Sequence, residues 1–245
     1  MAKAPPDGYT LLLTPGDIVT MPSLMPVMNF DPHKDLVPIS LISSVSMMLV
    51  AHTGAPFNNM KELIAAAKAQ PGQITYATPG TGSINHVTAE WMAIEANIKL
   101  LHVPYRGGVA SANGVAAGDV ALGLLSPSSG KSLLEAGKVK VLAVSGKQKS
   151  PSLPASWPTL DESGLAVDAV LWNGLFAAAG TPLAILSRLE REVSQILREE
   201  AVRARLNTAL IDYGSVSGQA FVDLIRAEGL RYDDVIRRTG VKIER

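Results

Sequence analysis

An α/β fold with largely parallel sheets, built as one large domain or two lobes, is what this sequence predicts, and three observations predict it. Short apolar runs of strand character alternate with segments whose apolar residues recur at helical spacing. The 245 residues are 47% apolar but only 5% aromatic, which suits an interior rich in Ala, Val and Leu. A Pro-rich passage, KSPSLPASWPTLDESGL, separates the middle strand–helix units from a returning strand, LWNGLFAA, and reads as a connection between lobes.

The expected strands cover residues 9–13, 46–51, 74–77, 99–103, 120–124, 139–144 and 172–177. A polar turn, Pro5-Pro6-Asp7-Gly8, leads into the first. The run VPISLISSVSMMLVA at 37–51 is interrupted by serines and falls short of the ~20 apolar residues a membrane span needs, so it reads as buried strand or helix. In NNMKELIAAAKAQPG, Asn59 caps a helix while Glu62 reaches back, Pro71-Gly72 ends it, and Met60, Leu63, Ile64 and Ala67 share a buried face. Downstream of Ser83, Val87, Trp91, Ile94 and Ile98 repeat at helical spacing. After Gly180, Thr181 is the expected N-cap and Pro182 the first helical residue, with an apolar stripe at Leu186, Leu189, Val193, Ile196 and Leu197. Glu190, Arg191, Glu192 and Arg198 then make a solvated face. The remainder is mainly helical, with stripes at Val202, Leu206 and Leu210 and at Phe221, Leu224, Ile225, Val235 and Ile236.

Composition bounds the function. Twenty-two basic and 22 acidic residues balance, so nothing points to nucleic acid or to a polybasic membrane surface, and a charged ligand must be met locally. The absence of cysteine removes disulfides, thiolate metal sites and cysteine nucleophiles, and leaves the compartment open. Four histidines, His33, His52, His86 and His102, show no metal-binding spacing, so neither a metal site nor a cofactor is expected. The opening MAKAPPDGYTLLL has no charged segment followed by an apolar core and a cleavage site, so no secretory signal is expected within this sequence, whose start reads as the middle of a domain.

The stretch YATPGTGSINH at 76–86 carries the chemistry. It follows a strand and opens a helix, so it is a helix N-terminus. Gly80 and Gly82 let the backbone turn its N–H groups inward, Ser83 is the expected N-cap, and Thr78 and Thr81 add hydroxyls, which together suit an anion. A charge-assisted hydrogen bond contributes roughly 1.5–3 kcal/mol and the helix dipole about 0.3–1 kcal/mol more, enough for micromolar binding without a lysine. The loop lacks the Gly-Lys-Ser/Thr of a Walker phosphate loop, the third glycine of a dinucleotide fingerprint and the G-x-S-x-G of a nucleophile elbow. A Ser83/His86 catalytic pair is disfavoured, because an N-cap serine is usually occupied with backbone amides. For His86 a structural hydrogen-bonded role is favoured over direct ligand contact.

Six segments, DGYTLLL (7–13), KELIAAAKAQPGQITYATPGTGSINH (61–86), HVPYRGG (102–108), AGDVALGL (117–124), ESGL (162–165) and GLFAAAGTP (174–182), run in order over essentially the whole chain. Together they resemble the Bug-type substrate-binding proteins of tripartite tricarboxylate transporters, related to TctC. The resemblance implies an α/β, two-lobed periplasmic-binding-protein-like (type II) fold with a ligand between the lobes, the first lobe formed by 1–50 and 171–245 and the second by 51–170. It implies a periplasmic, non-enzymatic receptor whose partners are a small carboxylate ligand and membrane permease subunits, with no nucleic acid and no direct membrane insertion. It also implies that the G-x-G-[ST]-x-x-H loop, here Gly80, Gly82, Ser83 and His86, meets the ligand carboxylate.

In HVPYRGG, Tyr105 and Arg106 either face the ligand or, for Arg106 the favoured reading, carry a surface charge ahead of a helix. Where family members commonly place an Asp that pairs with a ligand amino group, this sequence has LLSPSS, with Leu125 at the acidic position and Ser126 beside it as a candidate contact. Ligands without an amino group are therefore expected. The family's opening strand, Pro-Gly-Gly loop, helix and second strand are expected before DGYTLLL, so the first lobe is expected to be incomplete at its N-terminus. Its candidate contacts here are Thr14 and Asp17, the latter equally a helix cap. Two further functions compete: a ligand-sensing domain of the same fold without a transport role, and an α/β hydrolase-like enzyme using Ser83 and His86.

Overall fold

The computed structural model describes residues 1–25, 28–214 and 216–243. In the opening turn the Tyr9 N–H donates to Asp7 Oδ1 at 3.0 Å. Strand β1 (Leu12–Pro15) begins three residues later than the apolar run starts, leaving Tyr9 and Leu11 exposed. A 3-10 turn (Gly16–Val19) and two short helices, α1 (Met21–Leu24) and α2 (Pro32–Asp35), follow. Asp31 caps α2 by accepting from the His33 N–H at 2.9 Å.

The serine-interrupted run at 37–51 becomes two strands, β2 (Leu36–Val45) and β3 (Met48–His52). Next come α3 (Met60–Ala69), β4 (Thr75–Thr78), α4 (Ile84–Glu95), β5 (Leu101–Pro104), α5 (Gly108–Ala117), β6 (Leu122–Leu125), α6 (Pro127–Glu135) and β7 (Val139–Val144). At the start of α3 the Asn59 side chain accepts from the Glu62 N–H at 2.9 Å, while the Glu62 carboxylate accepts from the Asn58 N–H at 2.7 Å. The box therefore closes one residue earlier than the simple pattern places it. Met60, Leu63 and Ala67 are buried as expected, and Ile64 is half-buried.

Beyond the Pro-rich passage lie β8 (Leu171–Ala178), α7 (Leu183–Arg198), α8 (Glu200–Thr208), β9 (Asp212–Tyr213) and α9 (Gly218–Thr239). The start of α7 differs from expectation by one residue. Pro182 is its N-cap, and the Thr181 hydroxyl donates back to the Ala178 carbonyl at 2.7 Å instead of capping the helix. Leu186 and Leu197 are buried, but Ile196 at the edge of the stripe is exposed.

The chain forms two compact units. The first comprises Met1–Ser44 and Leu171–Ile236, and its sheet has the order β1-β8-β2-β9. There β1 pairs antiparallel with β8, and β2 antiparallel with β9. Ile39, Ala177 and Leu186 pack together at its centre, and Phe221 of α9 meets Trp172 edge-on at 5.6 Å between ring centroids. The second unit comprises Val45–Val170 and Arg237–Arg245, so β3 falls within it, earlier in the chain than a division at residue 50. Its sheet has the order β5-β4-β6-β3-β7. Here β4 is parallel to β5 and β6, whereas β3 is antiparallel to β6 and β7. The second sheet is thus mixed, and β1/β8 and β2/β9 of the first are antiparallel, so the sheets are not largely parallel. In the second sheet the antiparallel pairs come from β3, which enters without a helical crossover from either neighbour, and such crossovers are what parallel pairing needs.

Candidate functional site

Three strands of the second unit end at one edge of their sheet. Because β4 lies between β5 and β6 and is parallel to both, the chain turns into α4, α5 and α6 at that edge. The chain leaves β4 for β5 on one side and returns to β6 on the other. That makes the β4/β6 boundary a topological switch point, where open α/β sheets place ligands.

Direct contacts hold the three helix starts together. The Gly107 N–H, just before α5, donates to the Pro79 carbonyl at 2.9 Å. The Asn85 amide in the first turn of α4 donates to the Leu124 carbonyl of β6 at 2.8 Å. A Cβ on Gly108 would lie 2.4 Å from Ser129 Oγ of α6, so α5 and α6 begin in contact. Each start carries about half a positive charge from its helix dipole, so the edge attracts an anion without any cationic side chain.

The loop at 79–83 is fixed from within. Ser83 Oγ accepts from the His86 N–H at 3.3 Å and donates to the Gly80 carbonyl at 2.8 Å. That carbonyl also receives the Thr78 hydroxyl at 3.2 Å and the Ser83 N–H at 3.3 Å. With the Gly80 carbonyl drawn inward, the trans peptide sends the Thr81 N–H outward. Thr81 itself is exposed. The Gly82 N–H donates to His86 Nδ1 at 3.1 Å, and Gly82 has φ +81°, a conformation only glycine adopts without strain.

This last bond sets the chemistry of His86. A nitrogen that accepts carries no proton, so the neutral ring holds its proton on Nε2 and offers it as a donor. The ring is largely buried and stacks on His102, with centroids 3.8 Å apart and planes 11° apart. Burial first, and the neighbouring His102 second, push the His86 imidazole down from 6.5 to about 4, and burial lowers His102 as well. Both rings are therefore neutral near pH 7. Tyr76 completes the cluster, its ring 5.0 Å from that of His102 and its hydroxyl bonded to the Glu90 carboxylate. Burial, then Glu90, hold that phenol protonated.

Residues 1–241 match a family model described as tripartite tricarboxylate transporter family receptor. The chain belongs to this receptor family. It is 29% identical to a UPF0065 protein from the tcbD-tcbE intergenic region of Pseudomonas sp. (strain P51), over 96% of this chain and 70% of that one. It is 33% identical to a UPF0065 protein from the gbd 5' region of Cupriavidus necator, over 77% of this chain and 57% of that one. To Protein BugT of Bordetella pertussis it is 29% identical, over 99% and 75%. Among solved structures it resembles R. palustris Rpa4515 with adipate, at TM-score 0.90 and 28% identity over 98% of this chain and 81% of that one. It also resembles MatC from Rhodopseudomonas palustris with bound malate, at TM-score 0.83 and 25% identity over 96% and 81%. The family and these structural neighbours are solute-binding proteins, not enzymes. The periplasmic-binding-protein-like, mixed α/β fold is shared with them.

The receptor brings Thr78, Gly80, Thr81, Gly82, Ser83 and His86 together in one hydrogen-bonded loop. Several donors that the glycine pattern offers are already used within the loop. The Gly82 and Ser83 N–H groups and the Ser83 hydroxyl are occupied inside the loop. His86 Nδ1 faces Gly82, not Ser83 Oγ, so the two do not form a nucleophile–base pair. Ser126 is the N-cap of α6, and its hydroxyl lies 2.9 Å from Ser128 Oγ and 3.0 Å from Ser129 Oγ. Tyr105 is placed by its N–H, which donates to the Thr78 carbonyl at 3.0 Å, and its ring packs against Gly114 of α5 and the apolar core. Arg106 is exposed. Leu125 is wholly buried in the core.

Thr14 and Asp17 belong to the first unit. Thr14 sits in β1 opposite Gly174, its hydroxyl 3.4 Å from the Pro15 carbonyl. Asp17 lies in the first turn of the 3-10 helix, whose N-cap is Pro15, so it is not the cap residue. Its main-chain carbonyl accepts from Thr20 Oγ1 at 2.9 Å. Sequence reasoning missed Asn85 and His102. Asn85 stands in the middle of GSINH, where a polar residue in the first turn of a buried helix is a readable signal. His102 offers none, because its partners lie 16 and 24 positions upstream.

Proposed function

We propose that this receptor is a periplasmic protein that binds a small organic carboxylate and delivers it to a tripartite tricarboxylate-type permease. The convergence of the α4, α5 and α6 N-termini on the loop of Thr78–His86 carries the reading, since an uncharged cradle of dipoles and hydrogen-bond donors is selective for an anion. Family membership and neighbours solved with adipate and with malate support it. In this reading Thr81, through its N–H, and His86, through Nε2, contact the carboxylate. Thr78, Gly80, Gly82 and Ser83 shape the loop that presents them, and Tyr105 and Ser126 border it.

The test is isothermal titration of the purified chain with malate, succinate and adipate, alongside chloride and phosphate controls. Saturable binding of at least one carboxylate, weakened at least tenfold by His86→Ala, is expected. No heat and no thermal shift with any carboxylate at millimolar concentration would overturn the reading.

A further inference from the structure

We infer that His102 is a positioning residue for this site, a second imidazole that holds His86 flat and in one tautomer so that its Nε2–H is presented outward. The inference rests on the carboxylate-binding reading of the loop.

His102 is clamped from three sides. It stands opposite Tyr76 in the parallel register of β4 and β5, with ring centroids 5.0 Å apart. Its Nε2 lies 2.7 Å from Thr78 Oγ1. The Thr78 hydroxyl also lies 3.2 Å from the Gly80 carbonyl, so one side chain links the His102 ring to the loop. One face of the ring lies flat on His86, at 3.8 Å and 11°.

Each constraint passes to His86. The Gly82 N–H sets which His86 nitrogen accepts, but a single hydrogen bond leaves the ring able to tilt about it. A parallel imidazole stacked on its face removes that tilt and fixes where the opposite edge points. Because Thr78 also holds the Gly80 carbonyl, the same side chain that orients His102 orients the loop. The cluster thus ties β4, β5 and α4 to the presented donor. Among the described residues, the carboxylate bonded into the cluster is Glu90, which reaches it through the Tyr76 hydroxyl and not through an imidazole.

The experiment compares His102→Ala and His102→Phe with the wild-type chain. Nitrogen-15 NMR of the histidine rings at neutral pH reports the His86 tautomer without ligand, and titration with malate and adipate reports affinity. In the wild type, His86 should show one unprotonated Nδ1 and one protonated Nε2. His102→Ala should move that signature toward a mixture of tautomers and weaken carboxylate binding about tenfold, the scale of one misdirected charge-assisted hydrogen bond. His102→Phe, which keeps a planar ring on His86, should restore the His86 signature and most of the affinity. An unchanged His86 signature in His102→Ala would overturn the inference, as would a Phe variant no better than Ala. Should His102→Ala not fold, the Phe variant decides alone: a wild-type His86 signature supports the stack, and a mixed one overturns it. If the wild type binds no carboxylate, the functional reading fails, while the ligand-free nitrogen-15 comparison still decides whether His102 positions His86.

Discussion

At the scale of single residues, Ser83 and His86 fix which groups of the loop donate and which accept. Ser83 illustrates the consequence, since its hydroxyl closes the first turn of α4 and holds the Gly80 carbonyl in one geometry. Ser83→Ala should lower stability by about 1 kcal/mol, the usual cost of an N-cap, and weaken carboxylate binding through a loosened loop. Urea titration and calorimetry check the two parts, and unchanged values for both would show that the cap does not organise the site. His86 has the opposite character, because its neutrality is imposed. Its folded-state value of about 4 lies below the ordinary 6.5, so between those pH values the unfolded chain binds more protons than the folded one. This contribution to stability is fully present above about pH 6.5 and declines as pH falls toward 4. Denaturation midpoints measured from pH 7.5 to 4.5 should fall, and they should fall less steeply in His86→Gln, whose side-chain carbonyl can still accept from Gly82. Equal slopes would mean that other groups dominate. Leu125, buried at the end of β6, supplies no carboxylate for an ammonium, and an unpaired charge at such a site is costly. Succinate and malate should therefore bind more tightly than aspartate and glutamate in the same titrations, and the reverse order would contradict this.

Among elements, the legible features were those written in local chemistry. The Asn59 cap, the Ser83 cap and the glycine-punctuated β4–α4 junction follow from neighbouring residues, and the structure contains them. The unread features depend on residues far apart in the chain. The reversed direction of β3 follows from its pairing with β6 and β7, which periodicity within β3 does not encode. Strand β3 agrees with the strand expected at 46–51, but β2 before it was hidden, because the serine-interrupted run there has no clear period to read. His102 stacks on a residue 16 positions away, so HVPYRGG by itself does not announce the contact. Likewise, Tyr105 was open between ligand and structure until α5 was seen beside it. A Cβ on Gly114 would lie 2.3 Å from the Tyr105 hydroxyl, so glycine is required there by close approach. Gly114→Ala should displace the Tyr105 ring and destabilise the protein by about 1–3 kcal/mol, as overpacking does. If thermal unfolding does not change, the ring relaxes freely and Tyr105 does not brace the junction.

For the whole molecule, the resources that form the site and those that determine association belong to different units. The second unit closes its sheet edge with helix starts, whereas the first leaves β1 at the end of the order β1-β8-β2-β9. An edge strand presents unpaired backbone groups on one side, and proteins commonly protect such edges with charge or irregularity. Here the protection is slight. Leu13 is 59% exposed and Tyr9 93% exposed, and Pro15 blunts the edge at the end of β1. Leu11 and, at the start of α7, Leu183 are exposed as well. Apolar surface removed from water stabilises an association by about 25 cal/mol per Å², so this edge favours weak pairing of two copies as concentration rises. Light scattering should show the average mass of the 245-residue chain increasing between micromolar and millimolar concentration. Leu13→Lys places a charge on the exposed face of β1 and should suppress that increase without changing carboxylate affinity, because Leu13 lies outside the second unit that holds the anion loop. A chain that stays monomeric throughout, or an association that Leu13→Lys leaves intact, would show that the β1 edge is not the contact.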